Sequence, residues 1–129
     1  GMNLNQAVNE DGSTALQVAA VFDRTEIALL LIENGADIEV KKDDGATALH
    51  VASFFGRVEL VKALLEKGAD KTVKTNDGAS ALDSVSSSFE EVRPVYEFLE
   101  GLLAPVGFKL DYGLLQENRP KIAEMLRAE

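Results

Sequence analysis

The sequence predicts an all-α solenoid of stacked helix-turn-helix units. Three observations carry this reading: a 33-residue internal period, a threonine or serine helix cap once per period, and an apolar helical face that recurs in phase. Asp11, Asp44 and Asp77 open "DGSTALQVAA", "DGATALHVAS" and "DGASALDSVS", each 33 residues after the last. Downstream, "EIALLLIENGAD" at 26–37 answers "ELVKALLEKGAD" at 59–70 at the same offset. A chain of 129 residues with 46% hydrophobic content suits one domain with a continuous core.

The elements follow in order. "NLNQAVNE" (3–10) resembles the tail of a preceding unit, which leaves the first helix pair exposed on that side. Gly1 before Met2 has the form of a residue left by tag removal. In each unit an Asp-Gly turn leads to Thr14, Thr47 or Ser80, whose hydroxyl can accept from free N–H groups at a helix start. Short inner helices are expected at about 14–22, 47–55 and 80–88. Small Ala19 and Ala52 let neighbouring helices approach closely. Each outer helix has an apolar stripe: Ile27, Ala28, Leu31 and Ile32, then Leu60, Val61, Leu64 and Leu65. Gly35 and Gly68 follow as left-handed C-caps.

The third unit departs after "SAL". Its outer helix is expected at about 93–103, where Val95, Phe98 and Leu99 answer Val61, Leu64 and Leu65, with Pro94 in the first turn. The tail "FKLDYGLLQENRPKIAEMLRAE" reads as two further helical pieces, whose Leu114, Leu115, Ile122, Met125 and Leu126 cover the last open face. A single helix kinked at Pro120 is the other reading.

These units resemble the ankyrin repeat, a turn followed by two antiparallel helices. The family's T-P-L-H-x-A motif stands here as "TALQVA" (14–19), "TALHVA" (47–52) and, degenerate, "SALDSV" (80–85), and its second-helix ending as "LIENGAD" and "LLEKGAD". Ala15, Ala48 and Ala81 replace the usual proline and remain good helix formers. The likeness covers about residues 11–100. It implies one ankyrin-repeat domain over 1–129, with repeats at about 11–43, 44–76 and 77–103 and a helical C-terminal cap at about 104–129.

The resemblance also implies a non-catalytic protein-protein interaction module whose partner lies along the concave side, against turn tips and inner helices. The matching positions are Glu10, Asp11, Ser13, Val21 and Phe22 in repeat one, and Lys41, Asp43, Asp44, Ala46, Phe54 and Phe55 in repeat two. In repeat three they are Lys74, Asn76, Asp77, Ala79, Ser87 and Ser88. The "VF" and "FF" pairs fall in register and should align as an apolar strip. Adjacent helical positions point about 100° apart, so each pair divides. Phe22 and Phe55 are assigned to the core, Val21 and Phe54 to an exposed contact surface.

Little in the chain suggests catalysis. His50 is the sole histidine and occupies the motif's histidine slot, where the family uses the ring for inter-repeat hydrogen bonds; Gln17 and Asp83 fill that slot elsewhere. A base needs an oriented nucleophile, and no second histidine, phosphate-binding loop or H-E-x-x-H stands beside it. The acids Asp43, Asp44 and Asp77 lack the spacing of a calcium loop and read as turn and cap residues. Ser86, Ser87 and Ser88 read as a solvated, poorly helical stretch, and Glu90–Glu91 as acids at a helix N-terminus. There is no cysteine, so no disulfide and no thiolate site. No cofactor and no metal are expected. A net charge of −9 disfavours nucleic acid and favours a basic protein partner. No apolar run approaches a membrane span, and "MNLNQAVNE" lacks a signal-peptide pattern, so a cytoplasmic location is expected. Monomer and weak homodimer both fit.

Overall fold

A computed structural model describes residues 6–8 and 12–128. The described residues form seven α-helices, one 3₁₀ turn and no strands: α1 Ala15–Val21, α2 Thr25–Glu33, α3 Ala48–Phe54, α4 Val58–Glu66, α5 Asp83–Ser86, α6 Phe89–Leu103, the 3₁₀ turn Ala104–Val106 and α7 Tyr112–Arg127. The "NLNQAVNE" reading, Glu10 and Asp11 lie largely or wholly outside the described residues.

Repeats one and two fold as their sequence dictates. Thr14 and Thr47 sit in extended conformation ahead of α1 and α3. Thr14 N–H donates to Gln17 Oε1 at 2.8 Å, and Thr47 N–H donates to His50 Nδ1 at 3.1 Å, so each slot residue turns back to its own cap. The far end of each slot residue reaches the next repeat. Gln17 Nε2 donates to Ala46 O at 3.4 Å, beside a shorter bond to Val40 O at 2.9 Å in its own repeat, and His50 Nε2 lies 3.2 Å from Ala79 O. A backbone N–H on Nδ1 leaves the proton on Nε2, so the ring donates to Ala79 O. His50 is therefore an inter-repeat rivet.

The outer helices end as expected. At α4, Gly68 N–H bonds Leu65 O at 3.0 Å and Ala69 N–H bonds Leu64 O at 3.0 Å, with Gly68 at φ +87°. Leu60, Val61 and Leu64 are buried, as are Ala28 and Ile32 in the first repeat. Ile27, expected in the apolar stripe, is instead 54% exposed, whereas Leu60, its counterpart 33 residues on, is buried.

Repeat three is rebuilt. The inner helix expected over 80–88 shrinks to α5. Ser80 still caps, exchanging hydrogen bonds with Asp83, but Ser84 Oγ donates to Ala81 O and Ser86 Oγ to Leu82 O. These hydroxyls compete with the backbone for the same carbonyls, and Ser87 leaves the helix in extended conformation. Ser88 then caps α6, its Oγ accepting from Glu91 N–H, with Glu90 and Glu91 in the first turn. The helix thus starts at Phe89 rather than near 93, and Pro94 lies beyond its first turn.

The helix packed on α4 and α5 is α7, not α6. One continuous helix with Pro120 inside replaces the two tail pieces. Its Asn118 Nδ2 donates to Gly56 O at 3.0 Å, and Leu115, Ile122, Ala123 and Leu126 are buried. It takes the place in the stack that the sequence reading gave to 93–103. Phe98, expected to answer buried Leu64, is instead 69% exposed.

Candidate functional site

The displaced helix α6 lies over the concave side, and this arrangement defines the site. Two turn tips form the edge. Gly45 N–H bonds Lys42 O and Gly78 N–H bonds Thr75 O, closing equivalent turns. Asn76 stitches one tip to the other: its N–H donates to Asp44 O at 2.9 Å and its Nδ2 to Asp43 O at 2.9 Å. At Gly45, φ is +86°, and a Cβ there would meet Asn76 Oδ1 at 2.8 Å, so close stacking as well as backbone conformation requires glycine. Lys41, Asp43, Asp44, Lys74, Asn76 and Asp77 are exposed along this edge, whereas Ala46 is buried beneath it. Ala79 is half-buried, Ser13 is buried, and Ser87 and Ser88 are exposed at the α5–α6 junction.

The aromatic strip is not open. Phe55 is 8% exposed, in keeping with its core assignment. Phe22 is half-buried, and Phe108 inserts edge-on against both rings, 5.7 Å from each. Phe54, expected at the surface, is half-buried under Tyr96, whose ring stacks at 4.6 Å and whose hydroxyl donates to Phe54 O. Val21 is also half-buried. The chain covers its own strip with the segment between α5 and α7.

A buried guanidinium fastens that cover. Arg119 is 3% exposed. Its Nη1 donates to Ser84 O at 2.9 Å and to Tyr96 Oη at 2.8 Å, and its Nη2 donates to Ser87 O at 2.8 Å. One side chain of α7 thereby holds the end of α5 and the middle of α6. Burial raises the Tyr96 hydroxyl above its ordinary pKa, partly offset by Arg119. Glu100 adds a second tie, accepting from Leu110 N–H at 2.9 Å and Tyr112 Oη at 3.2 Å. Arg57 plays a similar part in the regular repeats: its Nε and Nη2 donate to Ala20 O and Val21 O at the end of α1.

Between α6 and the turn tips runs a cleft of about 840 Å³. Val51 and Phe54 line its floor, Val92, Val95 and Leu99 its α6 wall, and Lys42, Asp44, Asp77 and Asp83 its rim. Burial pushes the Asp44 carboxyl up, but the Ala46 N–H and paired Lys42 outweigh it and hold it below the ordinary value. Hydrogen bonds from Ser80 lower Asp83. The rim is therefore charged at neutral pH. No group of three or more acids and histidines among the described residues could hold a metal ion, and no helix among them is long and apolar enough to cross a membrane.

Sequence reasoning missed Tyr96, Phe108 and Arg119. Their contacts reach back 23 to 42 residues or more, and nothing in the 33-residue register points to them. A family model described as ankyrin repeats (3 copies) matches residues 1–75, ending where the regular pattern ends. No curated protein matches the chain.

Proposed function

Since the chain belongs to the ankyrin-repeat family, we propose that it is a non-catalytic module that binds a protein partner along the turn tips and the cleft beside them. The observation that carries this is the tip edge. Asn76 locks neighbouring tips together, so Lys41, Asp43, Lys74 and Asp77 stand exposed on a preorganised backbone. The acidic rim favours a partner with basic side chains. The test is capture of partners from lysate of the native organism by the tagged protein. Asp43→Lys/Asp77→Lys should lose a defined set of captured proteins with its melting temperature unchanged, whereas Glu66→Lys on α4 should keep them. Identical capture by all three would overturn the reading.

A second reading, self-assembly, draws on apolar exposure away from the cleft. Ile27 and Leu30 on α2 are 54% and 57% exposed. Light scattering over a wide concentration range decides it, since a constant monomer mass rejects assembly.

A further inference from the structure

We infer that α6 converts the concave side into a two-walled slot that takes an extended peptide segment carrying a large apolar side chain beside a lysine or arginine. This rests on the protein-binding reading and narrows the partner's chemistry. The slot runs across all three units, from Val21 in the first repeat to Ser84 in the third, which suits an extended chain better than a compact molecule. Its floor and α6 wall are apolar. Its rim carries three aspartates and one lysine, and that lysine is already paired with Asp44 at 3.1 Å. An apolar anchor fills the trough while a neighbouring cation meets the acidic edge, each group finding its complement. The apolar surface does not stop at the mouth. Val95 is 47% exposed, and Phe98 and Leu102 continue around α6 at 69% and 62%, where further apolar residues of the same segment can settle.

The experiment selects binders from a library of random 12-residue peptides displayed on their own mRNA, with the full chain as bait. Enriched peptides should pair an aromatic or large aliphatic residue with lysine or arginine. By fluorescence anisotropy, Val95→Glu and Asp77→Lys should each weaken the best peptide about tenfold or more, while Ile27→Glu leaves it unchanged. Both positions are exposed, so circular dichroism should show the fold intact in each variant. Enriched peptides that are acidic or lack an apolar anchor would overturn the slot. So would binding indifferent to Val95→Glu and Asp77→Lys, although protein binding elsewhere on the chain would then stand. A library with no enrichment over bare beads would overturn the slot, while the turn-tip reading stands or falls on the lysate capture.

Discussion

Arg119→Met tests what holds the cover in place. Methionine keeps much of the apolar stem and removes three hydrogen bonds, to Ser84 O, Tyr96 Oη and Ser87 O. A hydrogen bond from a charged donor contributes about 1.5–3 kcal/mol. Ser87 is exposed, so water can replace the guanidinium there, and the loss at that carbonyl is small. Ser84 O and Tyr96 Oη lie in half-buried and buried residues and lose a partner that water replaces poorly. Relief from burying a guanidinium offsets part of this, leaving a net cost of about 2–4 kcal/mol. In a domain of this size that lowers the melting temperature by roughly 10 °C. Thermal melts followed by circular dichroism measure the shift, and hydrogen exchange locates it. Amides of α6 should exchange faster by more than those of α1, because the Arg119 hydrogen bonds go to Ser84, Tyr96 and Ser87. Arg119→Lys should rescue little, since a point charge cannot span both carbonyls and the hydroxyl. A methionine variant that melts within about 1 °C of wild type, with α6 exchange unchanged, would refute the reasoning.

Three further outcomes follow from the same contacts. Phe54→Ala removes a ring stacked 4.6 Å from Tyr96 and set edge-on to Phe55 at 5.0 Å, and should cost about 2–3 kcal/mol in a denaturant titration, whereas Lys41→Ala stays within about 0.5 kcal/mol. Gly68→Ala, at φ +87° with open space around it, should cost about 1–2 kcal/mol; Gly45→Ala adds a clash with Asn76 and should cost clearly more in the same titration. Stability should also fall at both pH extremes. Hydrogen bonds to Thr72 and Ser80 lower Asp70 and Asp83, and Asp44 is lowered net of its burial. Their contribution is present above the unfolded carboxylate value of about 3.9 and is lost as pH drops through the lower folded values. The urea midpoint should fall on that limb, less steeply in Asp44→Asn/Asp70→Asn/Asp83→Asn. Tyr96 is raised by burial, so its contribution holds below the unfolded value of about 10 and is lost above it, with Tyr96→Phe flattening the alkaline limb.

The helices and caps of repeats one and two are legible in the sequence, because most positions have a counterpart 33 residues away under the same constraint; Ile27, exposed where Leu60 is buried, and half-buried Phe54 are the exceptions. Gln17 and His50 differ chemically, yet both turn to their own cap and reach the next repeat. Gly35 and Gly68 end their helices alike. The third repeat was legible only to its cap. Chain order favours the nearest amphipathic helix as the outer one, and α6 has an apolar stripe of its own. What decides against it is tertiary: α7 offers Asn118 to Gly56 and Arg119 to Ser84, while α6 offers Tyr96 to Phe54. Phe55 is buried as the register implies, while Phe54 is half-buried rather than exposed because the Tyr96 ring that shields it comes from outside the repeat register.

The slot itself can be mapped directly. In methyl spectra of the isotope-labelled chain, the selected peptide should shift Val51, Val92, Val95 and Leu99 and leave Ile27 and Leu30 unmoved. Shifts confined to Ile27 and Leu30, with the slot methyls unchanged, would contradict the account.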